Sequence, residues 1–339
     1  MKISAVALGV GAMLAAGPSL ARDHVLLDAG KAPANQTITS KSLGVKSATP
    51  FTVTTKTLHG GRQEGVMLVE IDTGAMKITV VPNRSMNVAQ AVSGKVRLGW
   101  KSPVHEIVNP AFLDQGARNG IGWLEGFNDL LTRCGYEWVG HAGADEDGTM
   151  LTLHGLAANI PASNVILSVD EKPPYTIRLK GLLREQAFKK VDFTIATELN
   201  TVPGAKSFTI NDRLTNNGDY PKEYQALYHS NFGPPLMEKD AKFAAPVHEV
   251  SPFNDYAGKL LSTWQTYQDR TKDFDEVVYN VFPYGDENGN TLTMVHNAAG
   301  KLGASIAYNV NALPAFSLWK NMDTDAQGYV TGMEPGTSF

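Results

Sequence analysis

Two side chains in this 339-residue sequence have the types and settings needed to move protons. His229 ends the strand-like segment EYQALYH, shortly before the break at Pro234-Pro235. Glu334 follows YVTGM and precedes Pro335-Gly336, which fixes the backbone beside the carboxyl group. An imidazole and a carboxyl group held a few ångströms apart can act as general acid and general base. The alternatives are a structural histidine that caps a strand end and an exposed glutamate in a turn.

Short alternating strands must position these side chains. The segments VMLVEID (66–72), VDFTIATEL (191–199) and FSLWKN (316–321) alternate in polarity, as half-buried antiparallel strands do. Strand starts recur every roughly ten to fifteen residues, which favours an all-β sandwich over alternating strands and helices. Helical signals are few. The best are EGFNDLLTR (125–133) and, more weakly, DRTKDFDEV (269–277).

The N-terminus has the pattern of an export signal. Lys2 gives a short basic region, residues 3–16 are uncharged and apolar, and Ser19 and Ala21 place small side chains at positions −3 and −1 before Arg22. This apolar run is too short to span a membrane as a permanent helix. We therefore expect cleavage after Ala21 and a periplasmic or secreted mature chain. A buried N-terminal helix is the alternative.

Composition argues against several other functions. The net charge of −4 opposes a nucleic-acid surface, and no later stretch is apolar enough for a membrane anchor. Cys134 is the only cysteine, which rules out an intrachain disulfide or a thiolate metal cluster. The eight histidines form no H-x-H or H-x-x-x-H pair, and there is no Walker loop, G-x-G-x-x-G or G-x-S-x-G motif. We predict no metal and no cofactor.

Six segments, taken together and in order, carry a family resemblance. They are VVPNRSMNV (80–88), LLTRCG (130–135), LHGLAANIPA (153–162), NDRLTNNGD (211–219), LYHSNFGPP (227–235) and TGMEPGT (331–337). In this respect the sequence resembles the bacterial DUF4432-type branch of the aldose 1-epimerase, or galactose mutarotase-like, superfamily. The resemblance runs from about Leu68 to the last residue. It implies a large antiparallel β-sandwich, a supersandwich, with a sugar-binding cleft across one concave face.

The resemblance also implies roles for individual residues. His229 matches the acid and Glu334 the base of the mutarotases, which open a sugar ring, turn the aldehyde and close the ring on the other face. His154, at the end of MLTLH, matches a second histidine beside the sugar and could share the acid role; a satisfied histidine at the sheet rim is the alternative. Arg84 matches an arginine that lines the cleft, and a structural salt bridge is equally compatible with it.

Three further residues are weaker candidates for binding a small-molecule carbohydrate. Asn231 and Lys320 could donate hydrogen bonds to sugar hydroxyls. Trp319 could stack against a pyranose face, although an aromatic residue near a strand end more often belongs to the core. The sequence gives no indication of an oligomeric state.

One fold of this kind supports several chemistries, so alternatives to anomer interconversion stay open. A lyase, or an epimerase of a modified sugar, could use Arg84 and Lys320 to neutralise a uronate. A glycosidase would need two carboxylates that flank one bond, and only Glu334 is a strong candidate. A non-catalytic module would bind a sugar in the same cleft without turnover.

We predict three parts of the chain: a signal peptide over residues 1–21, an extended lead-in over 22–50, and one mutarotase-like β-sandwich domain over 51–339. Members of the family continue beyond the glutamate turn, whereas this sequence stops at Phe339. Either the chain is truncated there or the domain closes in another way.

Overall fold

Short β-strands are the main regular elements of the chain. The computed structural model describes residues 4–9 and 21–339. The first twelve strands are β1 (Ser4–Gly9), β2 (Ala21–Asp28), β3 (Gln36–Thr39), β4 (Thr52–Thr57), β5 (Met67–Asp72), β6 (Lys77–Val81), β7 (Asn87–Ser93), β8 (Val96–Leu98), β9 (Leu131–Tyr136), β10 (Gly143–Ala144), β11 (Met150–Leu151) and β12 (Asn164–Asp170). The following strands are β13 (Ile177–Ala187), β14 (Val191–Thr201), β15 (Phe208–Asn216), β16 (Gln225–Phe232), β17 (Lys242–Ala244), β18 (Val247–Pro252), β19 (Val277–Pro283), β20 (Asn290–His296), β21 (Leu302–Asn309), β22 (Ala315–Asn321) and β23 (Val330–Gly336).

Helical structure is limited to short pieces between strands. The helices within the described ranges are α1 (Ala117–Gly120) and α2 (Asp255–Lys259). Single 3₁₀ turns lie at Gly61–Gln63, Pro110–Phe112, Gly122–Gly126, Ala157–Asn159 and Leu261–Thr263. No helix in the described part of the chain is long and apolar enough to cross a membrane.

Two large sheets form the sandwich. Over residues 4–9 and 21–339, the nine-stranded sheet has the order β17-β20-β21-β1-β15-β14-β13-β12-β2. The twelve-stranded sheet has the order β18-β19-β22-β23-β16-β9-β7-β6-β5-β4-β3, and β8 pairs with β7 beside this path. β1 lies parallel to β15 and β21, whereas the neighbouring strands pair antiparallel. The prediction of an all-β, antiparallel sandwich with one or two short helices is confirmed.

Alternation along the strands determines which side chains enter the core. Phe193 and Ile195 of β14 are buried, and so are Val69 and Ile71 of β5, while the residues between them are partly exposed. These apolar side chains belong to one cluster that fills the space between the two sheets. Full burial of each large apolar side chain contributes roughly 1.5–3 kcal/mol. Because these apolar side chains face the core, the outer face of the twelve-stranded sheet can carry polar groups.

A buried ion pair connects the two sheets behind that face. Arg133 of β9 donates from Nε to Oδ2 of Asp212 of β15 at 2.7 Å, and from Nη2 to Oδ1 at 3.2 Å. Tyr228 of β16 donates its hydroxyl to the same carboxylate at 3.0 Å. A two-point contact of this kind fixes orientation as well as distance. It therefore fixes β9 and β16 relative to the nine-stranded sheet.

The segment predicted as a lead-in contributes to both sheets. β2 pairs with β12 at one edge of the nine-stranded sheet, and β3 pairs with β4 at one edge of the twelve-stranded sheet. Leu26 and Ile38 of these strands are buried in the main core. Packed structure therefore begins well before residue 51.

The predicted signal peptide falls largely outside the described residues, which omit 1–3 and 10–20. Of this segment, residues 4–9 form β1 and Ala21 begins β2. Cleavage after Ala21 stays a prediction.

Both helix predictions made from the sequence are wrong. Residues 125–133 do not form a helix, because a 3₁₀ turn ends at Gly126 and β9 begins at Leu131. All six residues of β9 are buried, so the sequence lacks the alternation that marks a half-buried strand. Residues 269–276 form no helix and Val277 already begins β19, whereas the nearby helix α2 begins after Asn254.

Candidate active site

His229 and Glu334 face each other across two neighbouring strands. β16 and β23 pair antiparallel, with Ser230 opposite Met333, and this register sets His229 directly opposite Glu334. The Nε2 atom of His229 lies 3.2 Å from the Oε1 atom of Glu334, and each side chain is only 5% exposed. The two residues predicted to exchange protons therefore form a contacting, buried pair on the outer face of the twelve-stranded sheet.

Aromatic rings surround the imidazole of His229. Its ring centroid lies 5.2 Å from Phe127, 5.6 Å from Trp319 and 6.1 Å from Trp123. His154 completes the ring of neighbours, with its centroid 5.5 Å from His229 and 4.9 Å from Trp123. These side chains keep bulk water away from the pair, so any charge formed there is costly unless a partner compensates it.

Trp123 and Phe127 belong to a covering segment, residues 101–128, which lies over the outer face of the sheet. Arg62 holds this segment by donating from Nη2 to the Phe112 carbonyl at 2.8 Å and to Oε2 of Glu125 at 3.1 Å. The sequence predicted an open cleft above the pair. The structure instead covers His229 and Glu334, because the aromatic side chains of the covering segment pack directly on them.

Burial favours the uncharged forms of the pair. It raises the pKa of the Glu334 carboxyl well above its ordinary value of 4.5, and the nearby charge of Glu276 adds to the effect. Burial lowers the pKa of His229 well below 6.5, and the neighbouring His154 contributes further. Burial also lowers the pKa of His154, to about 4. Burial therefore favours the protonated carboxyl form of Glu334 and the neutral imidazole forms of His229 and His154.

Several buried polar atoms around the pair have no hydrogen-bond partner in the described structure. They are His229 Nδ1, His154 Nδ1, Glu334 Oε1, Trp123 Nε1 and Asn231 Oδ1. Leaving a buried polar group unpaired costs about 1–3 kcal/mol. A cluster of such groups on one surface requires an explanation, and a polar ligand that supplies the missing partners is one.

His154 itself adopts an unusual backbone conformation. Its φ is 57°, in the left-handed region, and the following Gly155 has a φ of 72°. Its backbone N–H donates to the Gly140 carbonyl at 2.8 Å, which holds this turn in place. Left-handed backbone at a non-glycine residue costs of order 1–3 kcal/mol and is concentrated at functional sites. The turn brings the imidazole of His154 against Trp123 and His229.

Arg84 and Asn231 lie next to the pair but are engaged by protein groups. Arg84 is 1% exposed, with Nη2 3.1 Å from Oδ2 of Asp129 and Nη1 donating to Asn128 at 3.0 Å. Asn231 donates from Nδ2 to the Asp129 carbonyl at 3.1 Å, which leaves its Oδ1 atom unpaired. The structural salt bridge, one of the two alternatives for Arg84, is the arrangement that the structure has.

The two candidates on β22 point to opposite faces of the sheet. Trp319 lies opposite Gly332 on the side of the pair, and its Nε1 atom donates to Glu276 at 2.7 Å. Lys320 lies on the core side, where Nζ donates to the Thr266 carbonyl at 3.1 Å and sits 4.4 Å from the centre of the Tyr267 ring. The structure therefore does not bring Lys320 to the site. Burial lowers its pKa to about 7.

Sequence analysis did not single out Trp123, Phe127, Asp129 or Cys134. Cys134 is a buried neighbour of the pair, and burial together with the charge of Glu334 raises the pKa of its thiol well above 9.0. The sequence did indicate that Trp123 and Phe127 lie outside a helix. Gly122 and Gly126 flank them, and glycine is a poor helix former. Within the described residues, no cluster of three or more His, Cys, Asp or Glu side chains could hold a metal ion.

The antiparallel sandwich, with the His229–Glu334 pair on the outer face of the larger sheet, is a galactose mutarotase-like fold. A model of the family described as domain of unknown function DUF4432 matches residues 63–339, and the chain belongs to this family. No curated protein sequence matches the chain.

A solved structure at high identity supports the same placement. The chain is similar to a candidate aldose 1-epimerase from Klebsiella pneumoniae subsp. pneumoniae, with 51% identity and a TM-score of 0.91 over 94% of this chain and 83% of that one. It is more distantly similar to a galactose mutarotase-like protein from Clostridium acetobutylicum, with 8% identity and a TM-score of 0.49 over 84% and 88% of the two chains. A galactose mutarotase related enzyme from Lactobacillus acidophilus matches with 13% identity and a TM-score of 0.45, over 80% and 86%.

Proposed function

We propose that this protein is a carbohydrate isomerase of the aldose 1-epimerase type, which interconverts the anomers of a sugar by opening and closing its ring. The observation that carries the proposal is the buried contact of 3.2 Å between His229 Nε2 and Glu334 Oε1. The 51% identity to the candidate aldose 1-epimerase from Klebsiella supports the same reaction class.

The uncharged pair is the starting state of the proposed reaction. Because burial favours the protonated carboxyl of Glu334 and the neutral imidazole of His229, we assign Nε2 of His229 as the proton acceptor and place the imidazole hydrogen on Nδ1. Glu334 then donates its proton to the ring oxygen of the sugar, and His229 removes the proton of the anomeric hydroxyl. These starting roles are the reverse of those implied by the family resemblance, and the reason is the desolvation of both groups.

The chemical steps balance without another reactant. As the two protons move, the bond between the anomeric carbon and the ring oxygen breaks and an aldehyde forms. The aldehyde group rotates, and the two proton transfers run backwards to close the ring on its other face. Each positioned acid or base contributes about 10²–10⁴-fold to such a reaction.

The ring-opened state places an imidazolium next to a carboxylate. Opposite charges at a separation of 3.2 Å attract each other strongly where water is excluded. The pair therefore stabilises the charges that it creates during proton transfer. His154 has an unpaired Nδ1 atom beside the pair and is placed to hydrogen-bond a sugar hydroxyl.

The lyase alternative loses support from the positions of two cations. Arg84 is occupied by Asp129, and Lys320 lies on the core side of β22. Neither is free to neutralise a uronate at His229 and Glu334. A non-catalytic sugar-binding module uses the same groups without turnover, and measurement of exchange separates it from an enzyme.

The proposal is tested by NMR exchange spectroscopy on a panel of aldoses, which measures anomer interconversion directly. The wild-type chain is expected to accelerate exchange of at least one sugar, and Glu334→Gln is expected to lose that acceleration. Glu249→Gln, which removes an exposed carboxylate of β18, is the matched control. Equal rates for the wild type and Glu334→Gln would remove the proposed reaction.

We also propose that the protein acts in the periplasm or outside the cell. The basic, apolar and small-residue regions of residues 1–21 support this location. Expression of the full chain in a bacterial host, followed by fractionation and N-terminal sequencing, provides the test. The expected mature chain begins at Arg22, and a cytoplasmic chain that retains its first residues would contradict export.

A further inference from the structure

A cavity of about 600 Å³ lies on the outer face of the twelve-stranded sheet. Its floor includes Lys56 of β4, Leu68 and Glu70 of β5 and Thr79 of β6. The other wall is formed by Trp100, Lys101, Ser102, Val104, His105, Ile107 and Asn128. The cavity thus lies between the sheet and the covering segment, and neither His229 nor Glu334 lines it. A volume of this size accommodates more than a single sugar ring.

The cavity connects to the pair through two aromatic rings. Trp100 lines the cavity, and its ring centroid lies 4.9 Å from that of Phe127. Phe127 in turn lies 5.2 Å from the ring of His229. Trp100 and Phe127 therefore stand between the cavity and His229. A ligand with more than one sugar unit that occupies the cavity must displace Phe127 for its terminal ring to reach His229.

The charge of the cavity differs in sign from that of the protein. Lys56, Arg97 and Lys101 line it, although the chain as a whole carries a net charge of −4. No ion pair involving these three cations occurs within the described ranges. Glu70, the carboxylate of the lining, is compensated by Lys77 at 3.3 Å. The cavity therefore presents uncompensated positive charge to a ligand.

Arg97 is held in place by neutral groups rather than by a carboxylate. Its Nε atom donates to Gln90 at 2.7 Å, and Nη1 donates to the Trp100 carbonyl at 2.9 Å. These bonds fix the guanidinium without neutralising it. A fixed, unpaired guanidinium is well suited to a carboxylate, sulfate or phosphate group.

We propose that this cavity is a subsite for an anionic saccharide, whose acidic unit binds Lys56, Arg97 and Lys101 while its reducing unit reaches His229 and Glu334. The inference rests on the proposed function for the position of the reducing unit. The shared chemistry is an anionic group on a sugar, and it can be a uronate carboxylate or an esterified phosphate.

Isothermal titration calorimetry on the full chain tests the subsite. The ligands are a disaccharide with a glucuronate unit, its neutral glucose counterpart and glucose 6-phosphate. The acidic disaccharide is expected to bind about tenfold more tightly than the neutral one at low salt, because each of the exposed cations adds a modest attraction. This preference is expected to shrink as salt rises. Stronger binding of glucose 6-phosphate than of the glucuronate disaccharide would identify a phosphate as the acidic group.

The double variant Lys56→Gln/Lys101→Gln is expected to bind the acidic and neutral ligands with nearly equal affinity. Lys41→Gln/Lys301→Gln removes the same charge from exposed positions outside the cavity and is expected to keep the preference. Equal affinity of the wild type for acidic and neutral ligands, an unchanged preference in the first variant, or no binding of any of the ligands would overturn the subsite.

Failure of the subsite and failure of the proposed reaction give different results. Glu334→Gln is expected to retain the preference for the acidic ligand while it loses anomer exchange. A chain that binds acidic saccharides through Lys56 and Lys101 without any exchange would keep the subsite and remove the isomerase. A chain that accelerates anomer exchange but binds acidic and neutral ligands equally would keep the isomerase and remove the subsite.

Discussion

Gly332 leaves empty the space that the carboxyl group of Glu334 occupies. The two residues lie two positions apart on β23, so they share one face of the strand. A Cβ atom on Gly332 would lie 2.3 Å from Oε1 of Glu334 and 3.0 Å from Cε1 of His229. The absence of a side chain at position 332 therefore allows the carboxyl group to fold against its own strand and contact the imidazole.

Gly332→Ala is expected to separate Glu334 from His229 while the fold is kept. Displacement of a reacting group by about 1 Å costs on the order of 100-fold in rate, and we expect a loss of this size in anomer exchange. Gly258→Ala is the control, since a Cβ there would meet its nearest neighbour, Pro252, at 3.8 Å. Full activity in a folded Gly332→Ala chain would show that the contact is dispensable.

The pH dependence of exchange should reveal which form of the pair is active. Burial raises the pKa of Glu334 above 4.5 and lowers the pKa of His229 below 6.5. The rate is therefore expected to stay high through pH 6.5, to fall at lower pH as His229 gains a proton, and to fall at higher pH as Glu334 loses one. The measurement is the exchange rate against pH, after subtraction of the uncatalysed rate. An increase in rate as pH falls through 6.5 would instead identify a charged imidazole as the acid.

The sequence identified both members of the contacting His229–Glu334 pair but not their surroundings. His229 was recognisable because it ends a strand-like segment before the Pro234-Pro235 break, and Glu334 because it precedes Pro335-Gly336. Both stand in family-like segments. Trp319 and Lys320 were both predicted to bind the sugar. Adjacent residues of a strand, however, point to opposite faces of the sheet. Periodicity alone did not say which of the two faces the core.

The position of the covering segment over His229 and Glu334 was the feature hardest to predict from the sequence. β9 is buried on both faces, so its residues give no alternating pattern, and the segment before it was expected to be helical. Trp123 and Phe127 belong to irregular backbone whose position depends on distant contacts such as that of Arg62 with Glu125. Local sequence carries little information about contacts of this range.

Glu185 is expected to make stability depend on pH. Its carboxyl accepts from the Tyr136 N–H at 2.9 Å, and burial raises its pKa from 4.5 to about 7. The folded chain therefore holds this proton more tightly than the unfolded chain, and the resulting stability is present below pH 4.5 and lost as pH rises to about 7. The loss is on the order of 3 kcal/mol.

Glu185→Gln keeps the hydrogen-bond acceptor and removes the titrating group. Urea unfolding of both chains across this pH range should show a difference in unfolding free energy that grows in favour of the variant as pH rises. A difference that does not change with pH would mean that Glu185 titrates normally in the folded chain.

The Arg84–Asp129 contact should behave as a buried ion pair in stability measurements. Both side chains are at most 1% exposed, so removing either partner leaves the other without compensation. Arg84→Met alone is expected to cost about 3–5 kcal/mol of unfolding free energy. The double variant Arg84→Met/Asp129→Leu is expected to cost less than the sum of the single variants. Additive losses in a double-mutant cycle would contradict coupling between them.

The position of β23 has a consequence for when the protein can act. This strand follows all other described strands in the sequence, yet it lies between β22 and β16 in the larger sheet and carries Glu334. A nascent or partly folded chain in which β23 has not yet inserted has the imidazole without its carboxyl partner. In the proposed reaction, turnover therefore requires completed folding, and a shortened translation product that lacks this strand is expected to show no anomer exchange through the pair.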